Sequence, residues 1–275
     1  MSEIAAGASA SSLETNPDFE TGELDLEGSF DTPEADAANG DSFAEETTFF
    51  SDLGLPEIIL DTLTDMGFTE PTPIQRQGIP PLMAGRDVVG IAQTGTGKTA
   101  AFGLPILSAC EKTGQVQALI LAPTRELAAQ SAAALTDFAR GMKLKVVAVY
   151  GGASYGPQIS ALREGAQIVV GTPGRIMDLM ERGELNLSAL KFFVLDEADE
   201  MLRMGFSEDV DQIASGANPD AIRALFSATM PPAIKRIAER HLSDPVEISI
   251  APQSSTVETV NQTYAVVPVS YTHLR

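Results

Sequence analysis

The sequence predicts an α/β fold in which a mostly parallel sheet carries helices on both faces. Short apolar runs alternate with amphipathic stretches from residue 49 onward, as in repeated strand–helix–strand units. Most of the apolar runs lead directly into loops that contain glycine or polar residues. The chain has 275 residues, of which 44% are hydrophobic, so it is long enough to bury a core of ordinary size.

Seven apolar runs are the expected strands of this sheet. They lie at residues 87–92, 118–122, 146–150, 168–170, 192–195, 224–226 and 246–250. Ligands of an open parallel sheet bind beyond the carboxyl ends of its strands. The loops that follow these runs are therefore expected to converge on one site.

The first 48 residues differ from the rest of the chain in charge. They hold 13 Asp and Glu residues and no Lys or Arg, and they dominate the net charge of −20. With few apolar residues they cannot offset the entropy lost on ordering, so residues 1–48 are expected to form a disordered acidic tail. The tail is either a solvated spacer or a docking segment for a protein partner. Residues 49–250 are expected to form the folded domain.

The composition excludes several classes of protein. Cys110 is the single cysteine, and no Cys/His cluster has metal-ligand spacing, so neither disulfides nor zinc are expected. The amino terminus lacks a basic start with an apolar stretch, and no apolar run reaches the roughly 18 residues of a membrane span. A cytoplasmic location is expected.

A glycine-rich segment follows the first expected strand and opens an expected helix. It reads Ala92-Gln93-Thr94-Gly95-Thr96-Gly97-Lys98-Thr99. Backbone N–H groups of such a loop surround phosphates, while Lys98 is suited to the β and γ oxygens and the Thr99 hydroxyl to Mg²⁺. Ala92 stands where the general pattern has glycine. The order of strand, loop and helix nevertheless favours a phosphate site over a glycine turn without function.

Carboxylates follow another apolar strand further along the chain. The run at residues 192–195 ends in Asp196-Glu197-Ala198-Asp199. A buried strand that delivers carboxylates to the sheet edge is the second half of a nucleoside-triphosphate site. Asp196 is expected to hold Mg²⁺ and Glu197 to polarise the attacking water, which makes both catalytic together with Lys98. An acidic run alone is as often a solvated loop, but the phosphate segment favours the catalytic interpretation.

The two segments together resemble the DEAD-box family of ATP-dependent RNA helicases, and this resemblance implies a RecA-like P-loop domain. Residues 50–107 are similar to the bacterial, cold-shock DeaD type. Other segments match the family in its order: residues 67–75 with Phe50 upstream resemble the Q motif, residues 123–128, 151–152 and 172–175 resemble RNA-contact motifs, and residues 227–229 resemble the motif that links hydrolysis to strand separation.

The resemblance implies that Gln75 reads adenine, because an amide carries the donor and acceptor that match the N6 and N7 edge. It also implies that Phe50 lies against the base, with Phe68 among the nucleotide-binding residues. The residues themselves leave a second role open. Thr72 and Gln75 flank Pro73 at the spacing of a helix capping box. Both roles can coexist.

The resemblance further implies that the loops after the strands bind RNA without regard to its sequence. Backbone N–H groups and guanidinium groups of these loops suit phosphate oxygens. Contacts to the 2′-hydroxyls of the ligand would distinguish RNA from DNA. Considered singly, Arg125 or Arg175 is better explained by a surface salt bridge. The hydroxyls of Ser227 and Thr229 are expected to bond Asp199, or else to close a local turn. The implied RNA-binding residues are Thr124, Arg125, Gly152, Thr172, Gly174 and Arg175.

Helicases of this family close two RecA-like lobes over ATP, and the second lobe supplies arginines to the transition state. Residues 251–275 are expected to be a linker and the truncated start of that lobe. An isolated first lobe is then expected to be nearly inactive. Three functions stay open: an RNA-dependent ATPase lobe that unwinds short RNA duplexes, a nucleotide- and RNA-binding module without turnover, and a DNA-acting helicase with the same core.

Overall fold

The structure, a computed structural model, describes residues 49–250. The tail expected at residues 1–48 and the linker and second-lobe strand expected at 251–275 lie outside the described residues. Among the residues that are described, no helix combines the length and the apolar composition needed to cross a membrane.

The described residues form one seven-stranded sheet whose pairings are all parallel. Each of the seven expected strands is present, which confirms the predicted fold class. The strands are β1 (Val88–Ile91), β2 (Ala118–Leu121), β3 (Val146–Val149), β4 (Ile168–Gly171), β5 (Phe192–Leu195), β6 (Ile222–Ser227) and β7 (Val246–Ser249).

Strand β6 begins earlier than its apolar run predicts. Arg223 interrupts the hydrophobic pattern, and Ile222 and Arg223 are only partly buried. Backbone pairing nevertheless continues there. The Ile222 N–H donates to the Lys191 carbonyl at 2.9 Å, and the Arg223 N–H donates to the Asp87 carboxylate at 2.7 Å.

Helices cover both faces of the sheet, as predicted. Successive strand residues alternate between the faces, so that Val88 belongs to one hydrophobic cluster and Val89 to the other. A 3₁₀ helix (Phe50–Leu53) precedes the α-helices. One cluster contains side chains of α1 (Glu57–Asp65), α2 (Pro73–Met83), α3 (Lys98–Ala109) and α4 (Arg125–Phe138); the other contains side chains of α5 (Tyr155–Arg163), α6 (Pro173–Glu181), α7 (Ala198–Arg203), α8 (Ser207–Gly216) and α9 (Pro232–His241).

The strand order places the predicted site segments in two groups. The order is β3-β4-β2-β5-β6-β1-β7, so β1 and β5 lie on either side of β6. The loops after these three strands carry the phosphate segment, the Asp-Glu-Ala-Asp segment and the Ser-Ala-Thr segment. Strands β3, β4 and β2 are adjacent in the other half, and the loops after them carry the expected RNA-contact residues. Because all strands are parallel, both groups lie at the same edge.

Candidate functional site

The phosphate segment forms the turn between β1 and α3. Gly95 and Gly97 have φ angles of 85° and 95°, which glycine adopts without the steric cost other residues meet. Gly97 is the N-cap of α3, and Lys98 is the first residue of that helix. The hydroxyl of Thr96 donates to the Gln93 carbonyl at 2.7 Å and closes the turn. The helix therefore begins where a phosphate group would meet its free N–H groups.

Lys98 and Glu197 connect the two halves of the site. The buried ammonium of Lys98 lies 2.8 Å from Oε1 of Glu197, and the hydroxyl of Thr94 donates to the same oxygen at 3.2 Å. Glu197 follows β5 with φ 53° and ψ 51°, a left-handed conformation that is strained for a residue with a side chain. The carboxylate of Glu197 is thus held against the cation expected to bind phosphate.

Asp196 directly follows β5 and is a buried carboxylate. Its Oδ1 atom is buried and has no hydrogen-bond partner among residues 49–250. Burial raises the pKa of Asp196 to about 6, although the Lys98 charge opposes this effect. An orphaned carboxylate oxygen beside a phosphate loop fits a hard cation that takes few protein ligands and keeps its waters, as Mg²⁺ does. Thr99 lies partly buried in the first turn of α3 and is the second expected ligand.

Gln75 lies in the first turn of α2 and contacts the phosphate segment. Its Oε1 atom accepts the Thr72 N–H at 2.9 Å, and its Nε2 atom donates to the Gly97 carbonyl at 3.1 Å. The Thr72 hydroxyl has no partner within the described residues, so only one half of the capping box forms. The Gln75 amide, which the family resemblance assigns to adenine, therefore already bonds the first turn of α2 and the phosphate segment.

The two aromatic residues assigned to the base differ in exposure. Phe50 is only 4% exposed, whereas Phe68 is 37% exposed. The ring of Phe68 lies edge-on between Phe50, at 6.3 Å, and Phe138, at 5.8 Å between centroids. Phe68 is thus the accessible ring, and Phe50 supports it from inside the core.

Asp199 and Thr229 join the ends of β5 and β6. The Thr229 hydroxyl donates to Asp199 Oδ2 at 2.9 Å, as expected from the sequence. Partial burial acts to raise the pKa of Asp199, but hydrogen bonds including that of Thr229 outweigh it and lower the pKa. Ser227 Oγ is buried and forms no hydrogen bond of ordinary geometry in the described part of the chain, although it lies close enough to Asp199 to help lower the pKa of that carboxyl.

The expected RNA-contact loops differ in how accessible their residues are. Thr124 caps α4 by accepting the Leu127 N–H at 3.2 Å. Arg125 is exposed and pairs with its neighbour Glu126 at 3.1 Å, which is the surface salt bridge considered for it. Gly152 and Gly174 are exposed, and Thr172 is partly exposed.

Arg175 is buried rather than exposed, which the sequence did not predict. It is 7% exposed, and its guanidinium group donates to Gln158 Oε1 and to the Ala153 carbonyl, each at 3.1 Å. It also lies over the ring of Tyr155, with Cζ 3.9 Å from the centroid. Within residues 49–250 Arg175 forms no salt bridge, so the surface salt bridge considered for it from the sequence is wrong. No sequence signal pointed to Gln158 or Tyr155, since they contact Arg175 only through the fold.

A family model described as DEAD/DEAH box helicase matches residues 72–237. The chain belongs to this family. The matched range contains the phosphate segment, the Asp-Glu-Ala-Asp segment, Gln75 and Thr229. It also contains every loop expected to contact RNA.

Relatives within the family support the same assignment. The chain is 53% identical over 223 residues to the ATP-dependent RNA helicase DeaD of Klebsiella pneumoniae, covering 80% of this chain and 35% of that protein. It is 50% identical over 223 residues to DeaD of Mycobacterium tuberculosis strain H37Rv, covering 80% of this chain and 40% of that protein. The predicted similarity to the DeaD type is confirmed. The chain spans well under half the length of these relatives.

Solved structures confirm the RecA-like DEAD-box fold class. A DEAD box protein from Methanococcus jannaschii superposes with a TM-score of 0.71 at 44% identity, covering 74% of this chain and 56% of that one. A hypothetical ATP-dependent RNA helicase from Sulfolobus tokodaii gives a TM-score of 0.66 at 40% identity, covering 71% and 57% respectively.

Proposed function

We propose that this DEAD-box chain forms the ATP-binding lobe of an ATP-dependent RNA helicase. One observation carries this proposal: Lys98, Glu197 and the orphaned Oδ1 of Asp196 meet at the carboxyl edge of β1 and β5. This arrangement supplies a cation for phosphates, a carboxylate for a metal and a carboxylate for the attacking water. Residues 49–250 would be this lobe, with the acidic tail before it and a linker and second-lobe strand after it.

The nucleotide would replace an internal contact of the site. The Lys98 ammonium is paired with Glu197 in the ligand-free chain, and the β and γ oxygens of ATP offer it a stronger negative charge. Their arrival would release Glu197 to accept a proton from the attacking water. Thr99 and Asp196 would hold Mg²⁺, which when bound neutralises charge on the phosphates. The residues present fit this ion because Asp196 Oδ1 has no partner in the described part of the chain.

The base would lie at the other end of the phosphate segment. Phe68 is the exposed ring there and is the better stacking surface, while Phe50 would support it. Gln75 would present its amide to adenine by giving up its bonds to Thr72 N–H and the Gly97 carbonyl. Binding of the base and the shape of the phosphate loop would then be linked through one side chain.

RNA would bind along the half of the edge formed by β2, β4 and β3. The exposed backbone at Gly152 and Gly174 and the helix starts at Thr124 and Thr172 offer N–H groups to phosphates. Such contacts read the backbone and not the base sequence. The Asp199–Thr229 bond, next to the ATP half, would couple hydrolysis to movement of RNA.

A hybrid protein tests the proposal. This lobe would replace the corresponding lobe of Escherichia coli DeaD, which is 53% identical over 223 residues. ATP turnover is then measured without nucleic acid, with RNA and with single-stranded DNA of the same sequence. ATP turnover that rises with RNA but not with DNA supports the proposal. Equal stimulation by DNA would favour the DNA-acting helicase, and nucleotide binding without turnover would favour the binding module.

A further inference from the structure

The ring of Tyr155 contacts two guanidinium groups. The Cζ atom of Arg175 lies 3.9 Å from the ring centroid and that of Arg182 lies 4.5 Å from it. Tyr155 begins α5, whereas Arg175 lies in α6 and Arg182 directly follows it. The aromatic ring therefore joins the loop after β3 to the helix after β4.

Asp178 contacts both Tyr155 and Arg182. The Tyr155 hydroxyl donates to Asp178 Oδ2, and Arg182 Nε donates to Asp178 Oδ1 at 2.9 Å. The hydrogen bond from Tyr155, followed by that from Arg182, lowers the pKa of Asp178. The carboxylate is therefore ionised at neutral pH and anchors both the hydroxyl and the second guanidinium group.

Arg175 is held from three sides and still retains free donors. Its bonds to Gln158 and to the Ala153 carbonyl use two of the five N–H donors of a guanidinium group. The ring of Tyr155 supplies the third contact. A recess of about 290 Å³ lies beside this cluster, and its walls include Gly151, Thr172, Gly174, Arg175 and Phe206. Arg175 therefore lines this recess together with two other expected RNA-contact residues, Thr172 and Gly174.

We propose that Tyr155 is a positioning residue of the RNA-binding face, which acts through Arg175. The flat ring restricts the guanidinium group to one plane, so its free donors are already oriented when an RNA phosphate enters the recess. Orientation before binding lowers the entropy lost on binding. This inference rests on the proposed RNA function. It differs from a purely structural role because it predicts a change in the electrostatics of RNA binding.

The test uses the 275-residue chain and a fluorescent single-stranded RNA, with affinity measured at several salt concentrations. Tyr155→Leu, which removes the ring, should weaken binding roughly three- to tenfold. It should also reduce the slope of log affinity against log salt by about 0.7, the value of one lost phosphate contact on a single strand. Tyr155→Phe keeps the ring and should retain the wild-type slope.

Two further variants complete the experiment. Arg163→Gln removes an exposed arginine of α5 that pairs with Glu184 outside the recess, and it should leave the slope unchanged. Arg175→Lys keeps the charge but loses the planar fork, so it should behave like Tyr155→Leu, and the double variant should be no weaker than either one. If Tyr155→Leu does not fold, as judged by circular dichroism, the affinities and salt slopes of Arg175→Lys and Tyr155→Phe are compared with those of the wild type instead.

The outcomes separate this inference from the proposed function. A folded Tyr155→Leu variant with wild-type affinity and slope would overturn the positioning role, as would a Tyr155→Phe variant as weak as Tyr155→Leu. If Arg175→Lys binds RNA like the wild type, the role is also overturned. Failure of the wild-type chain itself to bind RNA would instead contradict the proposed function.

Discussion

The Nζ atom of Lys98 lies 2.8 Å from Oε1 of Glu197, and this buried ion pair joins the phosphate segment to the Asp-Glu-Ala-Asp segment. The two residues are far apart in sequence and meet because β1 and β5 flank β6. Under the proposed function the carboxylate would compete with phosphate for the same cation. Nucleotide binding would then have to break this pair before Glu197 could act on water.

Replacing Glu197 by Gln should tighten nucleotide binding by the isolated chain, because the amide removes the competing charge from Lys98. An increase of roughly tenfold is expected, because a hydrogen bond between charged groups contributes about 1.5 kcal/mol or more. In the DeaD hybrid the same change should stop hydrolysis, since an amide cannot act as a base. Calorimetry and a turnover assay measure the two effects. Glu184→Gln, at an exposed pair outside the site, is the control. Normal turnover by Glu197→Gln would show that Glu197 has another role.

Alanine at Gly97 should be somewhat more harmful than alanine at Gly95. Both glycines have positive φ angles, but a Cβ at Gly97 would clash with Gln75 Nε2, whereas a Cβ at Gly95 meets nothing within 4 Å among the described residues. Gly95→Ala should cost about 1–2 kcal/mol of backbone strain, and Gly97→Ala should cost roughly 1 kcal/mol more, because the Gln75 amide must shift and give up its bond to the Gly97 carbonyl. Urea unfolding measures both. The double variant Gly97→Ala/Gln75→Ala removes the amide that clashes, so it should recover the stability lost beyond that of Gly95→Ala. Equal losses of stability in Gly95→Ala and Gly97→Ala would contradict the contact between Gly97 and Gln75.

Cys110 should resist alkylation in the folded chain. Burial raises the pKa of its thiol to about 12, so the reactive thiolate is scarce at pH 8. Iodoacetamide labelling should be slow in buffer and become fast in denaturing urea. Because Cys110 is the single cysteine of the sequence, mass spectrometry of the intact chain reads the result directly. Rapid labelling of the folded chain at pH 8 would contradict its burial at the end of α3.

Removal of residues 1–48 should tighten RNA binding at low salt. These residues carry 13 acidic and no basic side chains, so their negative charge is expected to oppose the approach of RNA phosphates. The gain should shrink as added salt screens the charges. Affinity is compared between the full and shortened chains at several salt concentrations. An unchanged affinity at low salt would make the segment an inert spacer.

The sequence predicted the features that depend on local pattern. Strand positions follow from apolar runs, and the turn at Gly95 and Gly97 follows from glycines between a strand and a helix. Parallel strands then imply that Lys98, Asp196 and Thr229 share one edge. These inferences need only chain order and the geometry of a parallel sheet.

Apart from the bond of Thr229 to Asp199, side-chain partners from distant segments could not be predicted, because they depend on packing. The burial of Phe50 beneath Phe68 depends on contact between the 3₁₀ helix and the connection from α1 to α2, and Phe68 in turn contacts Phe138 at the end of α4. The contact of Gln75 with Gly97 crosses 22 positions of sequence. Arg175 was expected at the surface, and its burial depends on Gln158 and Tyr155 from another helix.

The central claim is that this chain binds ATP through Lys98 at the junction of β1 and β5. Calorimetric titration of Mg·ATP tests it most directly, using the wild type, Lys98→Ala and the exposed-lysine control Lys112→Ala. The double variant Lys98→Ala/Glu197→Gln removes both charges and so guards against unfolding caused by an unpaired buried carboxylate. Binding should be present in the wild type and Lys112→Ala and absent in both Lys98 variants, because the charge directed at the β and γ phosphates is gone. Unchanged nucleotide affinity in a folded Lys98→Ala variant would contradict the account.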